Sequence, residues 1–148
     1  MAKTECEVKL ILKQDSNFEK KMATNGTTED ELECSFQFHE FTEKVGDLSV
    51  ACHFVKMESC LYVWLGNSEE KSMQDLSFAI ESKFEKDPLV TKIIGPIGND
   101  ASTNLAKRLA KKLGKPVYVS FNLPTDNMSL REIEKRLHQE FQANPDFM

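Results

Sequence analysis

The sequence predicts an α+β fold in which a mostly antiparallel sheet of six strands carries packed helices. Between positions 34 and 95, apolar residues mostly alternate with polar ones, which is the period of a strand. After position 95, apolar residues recur every three or four positions in two segments, which is the period of a helix. A short apolar run at 117–121 separates these two segments. The predicted order is therefore a meander of five strands, followed by helix, strand and helix.

The first three strands follow one another closely along the chain. Phe36 and Phe38 alternate with polar neighbours and precede a predicted turn at 44–47. A second strand is predicted at 48–57 and a third at 60–66. The third strand is apolar on both sides, so we expect it to be central and covered on both faces.

The next segment fits two different structures. Leu76, Ile80 and Phe84 are spaced four positions apart and would form one stripe of a helix. The same residues, together with Phe78, also fit a strand in which polar residues point outward. Because a turn is predicted at 87–88 and alternation resumes after it, a hairpin is the simpler interpretation.

Both helices carry recognisable start or stop signals. In the first, Leu105, Leu109 and Leu113 repeat every four residues, and Gly114 is placed to end the helix. In the second, Ser129 forms a capping box with the acid three positions later. The buried face of this last helix is predicted to consist of Leu130, Ile133, Leu137 and Phe141.

The chain divides into an extension and one domain. Residues 1–32 contain a single aromatic residue, no proline and a polar run at 25–31, which predicts a flexible N-terminal extension. Residues 33–148 form the predicted domain. A chain of 148 residues can bury enough apolar surface to fold without disulfides or metal ions.

Composition argues against several classes of function. The 19 basic and 24 acidic residues give a formal net charge of −5, which disfavours nucleic-acid binding by the whole surface. No apolar run approaches the roughly 20 residues of a membrane span, and the first residues lack the apolar core of a signal peptide. We therefore expect no membrane association and a cytoplasmic location, with the nucleus left open as a second compartment.

No arrangement typical of a catalytic, metal or cofactor site is found. The loop at 95–100 has glycines but lacks the Gly-Lys-Ser/Thr of a phosphate-binding loop. Cys52 and His53 are adjacent in a strand, so their side chains point to opposite faces. The four cysteines form no C-x-x-C pair, which disfavours a zinc site. The sequence thus predicts a protein that is not an enzyme, with no cofactor.

The first helix carries the most distinctive charge pattern. It holds five basic residues and no acid between positions 101 and 115. The pattern fits a solvated polar face whose cations favour the helix C-terminus, and it fits equally a docking patch for an acidic protein surface. The five residues are Lys107, Arg108, Lys111, Lys112 and Lys115.

Five blocks of the sequence resemble the proteasome assembly chaperone 4 family. Their order and spacing carry the resemblance, which runs from about Cys34 to Phe147. The blocks are LYVWLG at 61–66, LSFAI at 76–80, IIG at 93–95, STNLAKRLAKK at 102–112 and VYVSFNL at 117–123.

The resemblance implies a small non-enzymatic chaperone that pairs with proteasome assembly chaperone 3. In that family the heterodimer promotes assembly of the α-ring of the 20S proteasome, so the implied partners also include α-type subunits. It implies a strand at 76–84 and supplies no catalytic residues. The alternative from another class is a longin-like or roadblock-like heterodimeric scaffold in trafficking or signalling, because such domains share this architecture.

Two surfaces are predicted to contact partners. The basic residues of the first helix are expected to dock an α-type subunit through charge complementarity. An antiparallel sheet also has edges and faces that can pair with a partner. Dimerisation is predicted near the first two strands, at His39, Leu48, Val50, Cys52 and Phe54.

Overall fold

The computed structural model of the chain describes residues 34–124 and 127–147, which form six strands and two helices. This confirms the predicted α+β class and the order of its elements. The predicted extension at 1–32 lies outside the described residues. The elements are β1 (Gln37–Val45), β2 (Leu48–Lys56), β3 (Leu61–Asn67), β4 (Leu76–Ile80), β5 (Leu89–Ile94), α1 (Ala101–Leu113), β6 (Val117–Asn122), α2 (Asn127–Ala143) and a final 3-10 turn (Pro145–Phe147).

The strands lie in the order β1-β2-β3-β6-β4-β5. Four of the five neighbouring pairs are antiparallel, and β3 with β6 is parallel. The predicted meander of five strands is therefore wrong in one respect, because β6 lies between β3 and β4. The burial pattern agrees with this order: Val117 and Val119 of the central β6 are fully buried, whereas the edge strand β5 exposes Leu89 at 54% and Ile93 at 52%.

Both helices pack on the same face of the sheet. The core residues of β2, β3 and β6 alternate toward this face, and each is at most 2% exposed. Leu105 and Leu109 of α1 and Ile133 and Leu137 of α2 complete the same cluster. The sequences of these strands supply one apolar side chain at every second position, and the helices cover that set. The strand residues are Val50, Cys52, Phe54, Leu61, Val63, Leu65, Val117, Val119 and Phe121.

The second face of β3 is not covered by a helix of the described residues, contrary to the sequence-based expectation. Tyr62 is only half-buried there. Trp64 is buried by its own strand, since a Cβ atom at Gly66 would lie 2.3 Å from the indole ring. The indole Nε1 donates a hydrogen bond to the carbonyl oxygen of Ser72 at 2.9 Å, which holds the ring over Gly66.

The ambiguous segment at 76–84 is a strand followed by a loop. Ser77 and Ala79 are fully buried while Ile80 is exposed, so the side chains alternate as in a sheet. Phe84, which both interpretations included, lies in the loop and is 96% exposed. The hairpin interpretation is confirmed, and its first strand, β4, ends at Ile80.

Helix α1 ends where the sequence predicts. Gly114 adopts the left-handed conformation with φ of +64°, and its amide donates to the carbonyl oxygen of Ala110 at 2.9 Å. Within the described residues, neither helix combines the length and the apolar character needed to cross a membrane.

Two phenylalanines provide a matched test of this core. Phe54 is 2% exposed between the sheet and α2, so Phe54→Ala should lower the free energy of unfolding by about 3–5 kcal/mol. Phe84→Ala removes the same atoms from a solvated position and should change it by less than about 0.5 kcal/mol. Urea denaturation measures both, and similar costs for the two variants would contradict this assignment of the core.

Candidate functional site

The face of the sheet on which no helix of residues 34–124 or 127–147 packs, here called the open face, is rich in apolar side chains. Register places one set of side chains from all six strands on it, because directly paired residues share a face. Several are substantially exposed: Phe38 at 46%, Ile80 at 38% and Leu89 at 54%. The set comprises Phe38, His53, Val55, Tyr62, Trp64, Tyr118, Phe78, Ile80, Leu89 and Thr91.

Aromatic rings occupy the centre of the open face. The rings of Phe78 and Tyr118 lie 4.6 Å apart between centroids, on the neighbouring strands β4 and β6. On β2 and β3, the imidazole of His53 lies 5.2 Å from the ring of Trp64. A continuous apolar surface of this kind on a monomer typically marks a protein interaction site. The open face is therefore a candidate partner-binding surface.

A shallow depression of about 270 Å³ lies on the open face beside β3. The Tyr62 hydroxyl donates to Met73 Sδ at 3.4 Å on one side, and His53 Nδ1 lies 3.0 Å from Glu40 Oε2 on the other. Burial raises the pKa of Tyr62, against a hydrogen bond to Ser120 that lowers it, so the phenol stays neutral at physiological pH. The depression could accept an apolar side chain of a partner between polar groups at its rim.

The basic residues of α1 lie on the opposite side of the sheet, and two of them share one acid. Lys107 Nζ and Lys111 Nζ lie 3.2 Å and 3.0 Å from the two carboxylate oxygens of Asp87 in the loop before β5. Hydrogen bonds from Lys111 first, and then from Lys107, hold the pKa of Asp87 below its usual range. The carboxylate therefore remains ionised and partly neutralises this end of the patch.

The other basic residues of α1 contact α2. Arg108 forms an ion pair with Glu134, and Lys112 Nζ lies 2.7 Å from His138 Nδ1. Lys115 is half-buried just beyond the helix. The five cations and the two carboxylates of Asp87 and Glu134 together carry a formal charge of +3. The patch therefore stays positive, although less so than the sequence of α1 alone indicates.

The groove between the two helices adds a cation that the sequence did not reveal. Arg131 of α2 lines this groove of about 380 Å³ together with Arg108 and Asn104. Arg131 and Arg108 belong to different helices, so no periodicity within one helix could have linked them. Because Glu134 also lines the groove and pairs with Arg108, Arg131 is the cation that carries the positive surface onto α2.

Three of the predicted dimerisation residues are core residues. Val50, Cys52 and Phe54 are at most 2% exposed beneath α2, and the ring of Phe54 packs against that of Phe141 at 5.3 Å. Burial raises the pKa of the Cys52 thiol well above its ordinary value; nearby Glu140 adds to the shift and Arg136 opposes it. These side chains cannot touch a partner in this conformation, and their neighbours on the open face are the accessible ones.

The other two predicted residues, His39 and Leu48, are half-buried at the margin of the core. His39 Nε2 lies 2.6 Å from Glu140 Oε1, and Arg136 donates to the other carboxylate oxygen of Glu140 at 2.6 Å. Arg136 also donates to Glu43 Oε2 at 3.0 Å. These contacts attach α2 to β1. Leu48 packs against the edge of the core at the start of β2.

No group of three or more His, Cys, Asp or Glu side chains is arranged to bind a metal ion anywhere in the described ranges. The described residues present an apolar sheet face on one side and a positive helical face on the other.

Comparison with known proteins identifies one family. The family model for proteasome assembly chaperone 4 matches residues 49–123. The human proteasome assembly chaperone 4 is 31% identical over 109 residues, which cover 73% of this chain and 87% of the human protein. The mouse protein is 30% identical over 109 residues, with the same coverage of 73% and 87%.

A solved structure shares the fold. A chain from the crystal structure of a novel chaperone complex for yeast 20S proteasome assembly superposes with a TM-score of 0.58 at 13% sequence identity. The match covers 73% of this chain and 96% of the yeast-complex chain. At this identity the likeness shows a common architecture.

The attachment of α2 to β1 should be sensitive to acid. Burial raises the pKa of Glu140, but hydrogen bonds from His39 and Arg136 outweigh burial and lower it from its usual 4.5. A lowered folded pKa stabilises the fold above the unfolded pKa, and this contribution is lost as pH falls below about 4.5. Glu140→Gln should cost roughly 1–3 kcal/mol at pH 7 and progressively less toward pH 3.

Urea denaturation across this pH range tests the assignment, with Glu85→Gln as the control at an exposed position in the loop before β5. The free energy of unfolding of the control should follow that of the unmodified chain at every pH. If Glu140→Gln lowered the free energy of unfolding by the same amount at every pH, the result would contradict an ionised, paired Glu140.

Proposed function

The chain belongs to the proteasome assembly chaperone 4 family, and from this premise we propose that it acts as a heterodimer with proteasome assembly chaperone 3 and promotes assembly of the α-ring of the 20S proteasome. The family is one of non-enzymatic assembly chaperones. Its expected place of action is the cytoplasm, with the nucleus open. Membership of the family favours this function over a trafficking or signalling scaffold, which rests on architecture alone.

The observation that carries the proposal is the different chemistry of the two sides of the sheet. The open face presents apolar and aromatic side chains, whereas α1 presents a net positive surface on the opposite side. A chain with two unlike surfaces on opposite sides can hold two partners at once. That is what a chaperone requires if it forms a heterodimer and also engages a subunit of the growing ring.

The open face is the surface proposed for chaperone 3. Stable interfaces have an apolar, aromatic centre with polar groups at the rim. On the open face the rings of Tyr62, Phe78 and Tyr118 lie at the centre, and Glu40 and Lys44 of β1 lie at one edge. His39 and Leu48 remain part of the proposal at the margin of β1 and β2. Val50, Cys52 and Phe54 would support the surface from the core beneath it.

The basic surface of α1 is the one proposed for an α-type subunit. Its cations are mostly exposed, and three of them already pair with Asp87 or Glu134. Acidic residues of a subunit can replace these two carboxylates as partners, so that no cation is buried without an opposite charge. Contacts of this kind accelerate association and weaken with salt. Recognition through α1 should therefore be fast and reversible.

Two valines of β2 test the dimer surface. Val55 is half-buried on the open face, so Val55→Glu should leave the chain folded and weaken the complex with chaperone 3 at least about tenfold. Val50 is 2% exposed in the core, so Val50→Glu should instead destabilise the fold. Size exclusion with light scattering gives the masses after co-expression, and circular dichroism reports folding.

The control for the dimer test is Ile97→Glu, which adds the same charge in a loop where Ile97 is completely exposed. This variant should form the complex normally. An unaltered complex with Val55→Glu, together with normal folding, would exclude the open face as the dimer surface.

Charge reversal on α1 tests the second surface. Lys111→Glu with Lys112→Glu should lower capture of α-type subunits at least about tenfold at low salt, and the loss should shrink as salt rises. Lys111→Arg with Lys112→Arg keeps both charges at the same positions and should capture normally. The measurement is binding to purified α-type subunits, tested one at a time over a series of salt concentrations. Equal capture by the glutamate and arginine variants at low salt would show that the cations of α1 form a solvated face and do not bind the subunit.

A further inference from the structure

The two edges of the sheet differ in regularity. The order of strands leaves β1 and β5 at the ends, each with one strand neighbour among the described residues. In β5 the register with β4 shifts between Leu76 and Ser77, and such irregularities blunt an edge against further pairing. In β1 the register with β2 is unbroken over nine residues, from Gln37 to Val45. The described sheet therefore keeps one long, regular edge.

The charges on β1 are arranged symmetrically about one residue. Glu40 and Lys44 lie on the open face, two positions on either side of Thr42. The Glu40 side chain is 56% exposed, and Thr42 and Lys44 are exposed as well. Glu40 contacts His53 at 3.0 Å through one carboxylate oxygen, and Lys44 forms no ion pair within 34–124 or 127–147. Both charged groups are thus accessible from the edge.

We propose that β1 pairs in antiparallel fashion with β1 of a second copy of this chain, about a two-fold axis through Thr42. In this register Glu40 of each copy faces Lys44 of the other, and the two Thr42 residues face each other. On the helix side Glu43, which is paired with Arg136 of its own chain, faces Phe41 of the other copy. Opposite charges and threonine pairs at directly facing positions stabilise antiparallel strands. The edge is therefore complementary to itself, as a two-fold symmetric interface requires.

Other registers of the same strand are less favourable. An axis through Glu40 or Glu43 would place two like carboxylates face to face. An axis through Phe41 would set Glu40 against Thr42 and Lys44 against Phe38, so neither open-face charge would face an opposite charge. An axis between two residues would turn the open face of one copy to the helix side of the other, since a shift of one residue inverts the faces. Among these registers, the axis through Thr42 is the one that sets each open-face charge against an opposite charge.

A pair formed in this way leaves the two proposed partner surfaces accessible. With the axis perpendicular to the sheet, two six-stranded sheets would join into one, with both open faces on one side and both α1 helices on the other. The homodimer is thus separate from the proposed heterodimer, and each can fail without the other.

The test is a charge swap in the full chain, measured alone by sedimentation velocity over a range of concentrations. Glu40→Lys and Lys44→Glu should each weaken the homodimer at least about tenfold, because each creates two facing pairs of like charge. The double variant Glu40→Lys with Lys44→Glu should restore it. The exchange Lys83→Glu with Glu85→Lys in the exposed loop before β5 should have no effect.

Cross-linking tests the register independently. With Cys6, Cys34 and Cys60 replaced by serine and Cys52 buried in the core, Thr42→Cys should form a covalent dimer on mild oxidation, whereas Ile97→Cys should not. A chain that stays monomeric at every concentration overturns the proposal, as does a dimer indifferent to both single charge reversals or a Thr42→Cys variant that does not cross-link. Complex formation with chaperone 3, measured on the same variants, should be unchanged; its loss in a monomeric chain would assign this edge to the heterodimer instead.

Discussion

The parallel pairing of β3 with β6 is the constraint on which the rest of the structure depends. Two parallel neighbours must be joined by a crossover, and α1 supplies its final part. Because β6 occupies the place beside β3, the hairpin of β4 and β5 pairs on the far side of β6. Because both helices pack against the same set of buried strand residues, the other face of the sheet carries no helix of the described chain. The open face is therefore a consequence of topology and not of composition.

A buried polar cluster fixes the crossover to the sheet. Asp75, 3% exposed just before β4, accepts a hydrogen bond from Ser102 Oγ of α1 at 2.7 Å. Ser102 Oγ also lies 2.8 Å from Ser77 Oγ of β4, and Lys92 Nζ of β5 lies 3.5 Å from Asp75. A buried carboxylate without such partners would be costly, so these residues hold the start of α1 in one position. The orientation of the basic surface follows from this anchoring.

Periodicity identified nearly every element but not their neighbours. Alternation of apolar residues predicts that a strand has one buried face, and in this way it predicted the burial of Val117 and Val119. It does not predict which strand lies beside β6, because that depends on how all six strands and both helices pack together. The same reasoning explains the dimerisation residues. Alternation places Val50, Cys52 and Phe54 on one face of β2 and His53 and Val55 on the other. It does not show which of the two faces is buried, because that depends on the face against which the helices pack. Similarly, the cations of α1 were visible in the sequence, whereas Asp87 and Glu134 approach from other elements.

The two sides of the sheet differ in the forces that form and break their contacts. Contacts at the open face derive from removing apolar and aromatic surface from water, an effect that moderate salt leaves almost unchanged. Contacts at α1 derive from exposed charges, which are screened within about 8 Å at physiological ionic strength. A partner on the open face would therefore stay bound while a partner on α1 exchanges. Under the proposed function, this division would place the durable contact with chaperone 3 and the reversible contact with an α-type subunit on separate surfaces of one small domain.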